Sequence, residues 1–202
     1  GRTAVIKCRG GGEVPGIAIF HPGFAYHYKL FESLYHELFR KTKLPFLNEA
    51  IEILQDFIPW FNGFELVGST LYVRTQRRTP MPVYALSDGQ RAAAFLGMLY
   101  AAVGRDSLFL IDTPEAFVHP DGLPVMAELV ARLSAEGGQV LVATQSLEFI
   151  EELLSAAYEH GVLDDTAVLR LRLKEGAIAL AGSWSGEASM KSIVELGADL
   201  RG

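Results

Sequence analysis

Leu108-Phe109-Leu110-Ile111-Asp112-Thr113-Pro114-Glu115 is the stretch that decides the fold. Four consecutive apolar residues that stop at an acidic residue and a proline read as a short buried strand, and such strands alternating with helices build a parallel sheet. Both flanks agree. An Ala-rich helical run from Gly89 to about Val103 precedes it, and a helix from Leu123 to Ala135, a second apolar strand from Val140 to Ala143 and a helix from Leu147 to His160 follow. This alternation predicts an α/β fold, with a mainly parallel sheet flanked by helices that cover both of its faces.

Further out the texture changes. Thr3 to Cys8 and Gly16 to Phe20 read as strands around Gly10-Gly11-Gly12. Apolar residues recur at helical spacing from Tyr28 to Lys41 and again from Leu47 to about Phe61, which predicts a helical pair. Phe64 to Val67 and Leu71 to Thr75, parted by Gly68-Ser69-Thr70, form an expected hairpin leading through Arg74, Arg77 and Arg78 to Pro80 and Pro82. At the other end, Ala167 to Leu173 and Ala177 to Ala181 predict a strand pair, followed by a helix from about Glu187 to Leu196. Residues 1–83 are expected to be strands, helical pair and hairpin of the same lobe as residues 84–202.

The chain has 202 residues, half of them hydrophobic and 21% charged, enough to bury a core. Its 24 acidic against 18 basic residues give a net charge of −6, which disfavours a broadly basic nucleic-acid surface. Nucleic acid stays open as a partner through a local basic patch, for which Arg74, Arg77 and Arg78 are the candidates; a solvated hairpin edge is the plainer reading. No apolar run approaches the roughly 18 residues of a membrane span, and no signal-peptide layout is present, so a soluble cytoplasmic protein without a membrane partner is expected. A single cysteine, Cys8, excludes an intrachain disulfide and a Cys-rich zinc site. His21, His27 and His36 are too irregularly spaced for a metal site. Trp60, Phe57, Phe61 and Phe64 read as core packing before partner surface.

Three places could carry chemistry. Leu86-Ser87-Asp88-Gly89-Gln90 opens a helix, where free backbone N–H groups and the helix dipole favour an anion such as phosphate. A capping box between Ser87 and Gln90 explains the same residues without a ligand. Asp112 ends a buried strand, where ligands sit in open α/β sheets and a carboxylate can hold Mg²⁺ through water; the competing role is turn initiation before Pro114. Glu115 follows, then His119-Pro120-Asp121, a helix-initiating turn or a polar contact to phosphate. The next strand ends in Thr144-Gln145-Ser146, where Thr144 or Ser146 can cap a helix and Gln145 can face a terminal phosphate or orient a water.

In this order and at this spacing the motifs resemble the C-terminal half of an ABC-type ATPase head, particularly AAA-named ATPases related to the overcoming-lysogenization-defect proteins and, more remotely, SMC-like heads. The resemblance covers residues 84–160 and, weakly, the closing strands and Asp199-Leu200-Arg201-Gly202. It implies that Ser87, Gly89 and Gln90 form a signature loop that binds the γ-phosphate of ATP held by an opposite protomer. It also implies a Walker B role for Asp112, a D-loop position for His119 to Asp121, and the switch position for Gln145. ATP and Mg²⁺ are thus the implied cofactors.

Two departures bear on catalysis. Thr113 stands where the family carries a Glu general base, leaving Glu115 as the nearest substitute, and Gln145 replaces a histidine. A third concerns the phosphates: no Gly-x-x-x-x-Gly-Lys-Ser/Thr loop occurs, and Gly186-Glu187-Ala188-Ser189-Met190-Lys191-Ser192 lacks the second glycine and reads as a helix start. The expected function is therefore ATP-gated association with an N-terminal Walker A lobe or a second protomer, a homodimer included, with weak or absent hydrolysis by this chain. The competing class is a non-catalytic interaction module presenting Tyr28 to Phe61 to a partner.

Overall fold

The computed structural model describes residues 16–40, 44–76, 79–102 and 107–196. The expected strand Thr3 to Cys8, Arg77, Arg78 and the closing Asp199 to Gly202 lie outside them. A parallel sheet in the order β1-β5-β6 forms the centre: β1 (Ile17–Phe20), β5 (Leu108–Asp112) and β6 (Gln139–Ala143). Its register pairs Phe20 with Ile111 and Asp112 with Ala143, so the chain leaves β5 and β6 side by side.

Between β1 and β5 run α1 (Tyr28–Arg40), α2 (Leu44–Gln55), a three-stranded antiparallel sheet and α3 (Asp88–Ala102). That sheet contains β2 (Phe61–Val67), β3 (Thr70–Thr75) and β4 (Met81–Pro82). Helix α1 turns Phe31, Tyr35 and Leu38 inward, and α2 turns Leu47, Ala50, Ile51 and Leu54 inward, the spacing of one helical face. The predicted second helix stops at Gln55, short of Phe61; the Ile58 and Phe61 N–H groups close turns before Pro59 and into β2. Proline restricts the residue before it and cannot donate to a helix, and Phe61 is buried as a strand residue.

Helix α3 is buried along almost its whole length, which its run of alanines permits. Neighbours approach closely there: a Cβ on Gly97 would lie 2.9 Å from Leu54 Cδ1. Helices α4 (Leu123–Ala135) and α5 (Leu147–Glu159) complete the layer on the core face of the sheet, where Ala18, Phe20, Phe109 and Ile111 are buried.

The other face departs from expectation. Ile17, Ile19 and Leu141 are 43%, 55% and 60% exposed, so among the described residues the sheet is covered on one face. Strand alternation sends these side chains away from the helices, and no described element lies over them. The hairpin β7 (Ala167–Lys174) and β8 (Ala177–Ser185) follows, seated through Val168 and Trp184 on Leu154, Ala157 and Leu163. Its opposite row, Leu169, Leu171, Leu173, Ile178 and Leu180, is also exposed. Helix α6 (Gly186–Leu196) begins at the P-loop look-alike, whose Gly186 N–H donates to Thr166 O; the helix-start reading is the one observed. Among the described residues no helix is long and apolar enough to cross a membrane.

Candidate functional site

The Ser87 loop is a capping box. The Ser87 N–H donates to Gln90 Oε1 (3.2 Å) and the Gln90 N–H to Ser87 Oγ (3.4 Å), which serves two donors at the start of α3. Gly89 has a packing reason as well: a Cβ there would meet the Phe117 carbonyl oxygen at 2.6 Å and Val118 Cα at 3.0 Å. The loop is thereby pressed against the segment that follows Asp112.

A residue the sequence reading passed over organises this end of α3. Arg91 is 7% exposed, and its Nη2 donates to the carbonyls of Leu86 (2.9 Å) and Tyr84 (3.3 Å) and to Asp88 Oδ1 (3.4 Å). Its guanidinium also lies 4.8 Å from the Tyr26 ring centroid, a cation–π contact. The neighbouring Asp88 carboxylate, which favours the protonated phenol as an acceptor and by its charge, raises Tyr26 above its usual range, with burial adding to it. The Asp88 carboxylate is thus drawn toward a tyrosine and an arginine. The available signal was a lone cation within an alanine helix, Arg91-Ala92-Ala93-Ala94.

At the strand ends, Asp112 is exposed. Thr113 adopts φ +47° and its N–H donates to Ala143 O (2.8 Å), tying β5 to β6 one residue beyond the ladder. Glu115 folds back toward β6: its Oε1 accepts from Thr144 Oγ1 (2.7 Å) and the Gln145 N–H (3.2 Å). Thr144 Oγ1 accepts in turn from the Ser146 N–H (3.0 Å), and Ser146 Oγ caps α5 through the Phe149 N–H (3.1 Å). Of the two cap candidates, Ser146 is the N-cap.

His119 is exposed, and its Nδ1 accepts from the Asp121 N–H (3.3 Å), so it caps the short 3-10 turn Pro120–Gly122 ahead of α4. His21 does the same for Pro22–Tyr26, through the Gly23 N–H (3.0 Å). Trp60 and Phe57 pack on the core, and Phe61 and Phe64 are within it. The apolar face of α1 and α2 is likewise spent on the core.

The donor set is one-sided. Asp112 supplies a hard oxygen of the kind Mg²⁺ accepts, beside hydroxyl and amide groups at the end of β6. Among the described residues there is no lysine-bearing glycine loop for the α- and β-phosphates. Asp112 is the group here that could hold a divalent cation, and the hydroxyl and amide groups at the end of β6 are those that could meet an anion.

Residues 22–151 match the family described as AAA domain, putative AbiEii toxin, Type IV TA system. The chain belongs to this family. A protein of Methanocaldococcus jannaschii is 30% identical over 118 residues, 58% of this chain and 100% of that protein. A putative ABC transporter ATP-binding protein of Listeria monocytogenes is 28% identical over 114 residues, 56% of this chain; the chain spans 37% of that relative's length. Among solved structures, an SMC ATPase from work on ATP-driven dimerization and DNA-stimulated activation superposes with a TM-score of 0.54 at 16% identity, over 80% of this chain and 97% of that one. The AAA-family chain thus has the fold of an SMC-type ATPase head.

Proposed function

We propose that this chain supplies the signature-loop and Walker B side of a composite ATP site and associates, in an ATP-gated manner, with a lobe that carries the Walker A loop. The observation that carries this reading is the half-covered sheet. Parallel sheets are stable with both faces covered, yet Ile17, Ile19 and Leu141 are exposed, and among the described residues β6 pairs only with β5, which leaves its other edge open in the strand that leads to Gln145. A strand and helix from a Walker A lobe would pair with that edge, cover that face, and bring the missing phosphate grip to the strand ends.

In this reading Ser87, Gly89 and Gln90 face the γ-phosphate of a nucleotide held across the interface, with the α3 dipole behind them. Asp112 would hold Mg²⁺, which when bound supplies charge neutralisation at the phosphate oxygens. Gln145 faces the terminal phosphate, and His119 lies in the loop beside the interface. Thr113 cannot accept a proton at neutral pH, which makes hydrolysis slow or absent. The dimerization described for the SMC relative supports the gating idea by analogy.

The experiment is association with a Walker A lobe, followed by size-exclusion chromatography with and without Mg-ATP. Ser87→Arg fills the phosphate approach and is expected to abolish the ATP-dependent species. The fold should persist, because losing an N-cap costs about 1 kcal/mol. An ATP-induced species that survives Ser87→Arg would remove the Ser87 loop from the interface.

A further inference from the structure

Glu115 belongs by sequence to the loop after β5, yet both of its hydrogen bonds go to the loop after β6. Oε1 takes the Thr144 hydroxyl at 2.7 Å and the Gln145 backbone N–H at 3.2 Å, and Thr144 passes the connection on to Ser146 and so to the start of α5. The second oxygen, Oε2, is shut off from solvent and has no partner among the described residues. A general base must reach the proton of the attacking water. In this arrangement one carboxylate oxygen is engaged by two donors and the other is out of solvent contact, whereas a charged acceptor is well suited to hold a hydroxyl and an amide in place.

We propose that Glu115 is a positioning residue that clasps the two strand-end loops together and fixes the backbone of Gln145, and that it takes no proton in turnover. The functional consequence rests on the proposed reading of Gln145 as the group facing the terminal phosphate; the clasp itself does not.

Glu115→Gln and Glu115→Ala separate the two roles. The amide keeps a carbonyl oxygen for both donors but cannot act as a base, while alanine removes the acceptor. Amide hydrogen exchange on this chain should show Gln145 exchanging about tenfold faster in Glu115→Ala, the size of one lost hydrogen bond, and close to wild type in Glu115→Gln. Protection of Phe109 and Ile111 reports whether β5 remains folded. Should Glu115→Ala fail to fold, Glu115→Asp replaces it: a carboxylate one methylene shorter is drawn away from both donors and should likewise speed Gln145 exchange. In the ATPase assembled with a Walker A lobe, Glu115→Gln should keep the wild-type kcat, and Glu115→Ala should lose about tenfold. A Gln145 amide that exchanges at the wild-type rate in Glu115→Ala, or in Glu115→Asp where that replaces it, overturns the clasp. Turnover lost equally in both variants, with Gln145 still protected in Glu115→Gln, makes Glu115 the base and overturns the proposal. If no assembly binds or hydrolyses ATP, the composite-site reading falls and the amide data alone decide the clasp.

Discussion

Thr113 holds a left-handed backbone conformation at the point where β5 gives way to its loop, with φ +47°. A β-branched residue is poorly suited to that conformation, so an unbranched side chain there should be tolerated at least as well. Its N–H is committed to Ala143 O, which fixes where its side chain starts. Thr113→Glu therefore places a carboxylate directly after Asp112 without disturbing the β5–β6 junction. In the ATPase assembled with a Walker A lobe, this substitution should raise phosphate release by roughly 10² to 10⁴, the usual contribution of a positioned general base. Steady-state phosphate release, beside an Asp112→Asn control that impairs Mg²⁺ binding, is the measurement. An unchanged, measurable rate would mean that this strand end does not handle the proton.

Among the elements, the β7–β8 hairpin turns on Glu175-Gly176, with φ +52° and +82°, between the paired Lys174 and Ala177. Two residues with positive φ define a tight hairpin turn in which Asn-Gly is preferred, because asparagine tolerates the left-handed region better than glutamate. Glu175→Asn should stabilise the hairpin by about 0.5 kcal/mol, seen as slower amide exchange along β7 and β8. Faster exchange would contradict the turn geometry.

A charged network ties three helices together elsewhere. Arg132 on α4 donates through Nε to Glu128 Oε1 and through Nη1 to Glu49 Oε1 on α2, both at 2.6 Å, while His160 Nε2, at the end of α5, lies 2.9 Å from Glu128. Burial pushes the Glu128 carboxyl up, but its hydrogen bonds from Arg132 and His160, and their charges, outweigh burial and leave it below its ordinary value of 4.5. A carboxylate depressed in the folded state contributes stability above its unfolded value and loses it as pH falls through the folded one. Glu128→Gln should thus lower the melting temperature at pH 7, and the gap to wild type should close as the pH falls below that ordinary carboxyl value. A gap that persists unchanged in acid would assign the effect to packing alone.

At the scale of the whole molecule, the core is concentrated around α3, whose buried alanines lie against α1, α2, α4 and β1. One face of the central sheet and one face of the terminal hairpin carry exposed aliphatic rows. Exposed apolar surface of this kind favours contact with another element or chain, and among the described residues it adjoins an unpaired edge of β6. The same incompleteness governs the ligand. Calorimetry of this chain with Mg-ATP should show weak or undetectable binding, since Asp112 and the Ser87 loop offer part of the phosphate contacts. A low-micromolar Kd, about −8 kcal/mol, would reveal a phosphate grip elsewhere in the chain.

The sequence by itself determined the alternation of elements from α3 to α5, because apolar period is set locally and Leu108–Asp112 and Gln139–Ala143 carry the signal within their own residues. It determined the Ser87–Gln90 capping box for the same reason: the partners are three residues apart. The early end of α2 was legible in Pro59 and was overrun by the continuing apolar pattern through Phe61. Tertiary structure alone decided that, among the described residues, one face of the sheet is left open, since a continuous apolar strand reads the same whether one or both of its faces are covered. It also decided the partners of Arg91 and the turning of Glu115 onto Thr144 and Gln145. Glu115 lies about thirty residues from those donors in sequence, and only the parallel pairing of β5 with β6 brings the two loops within hydrogen-bonding distance.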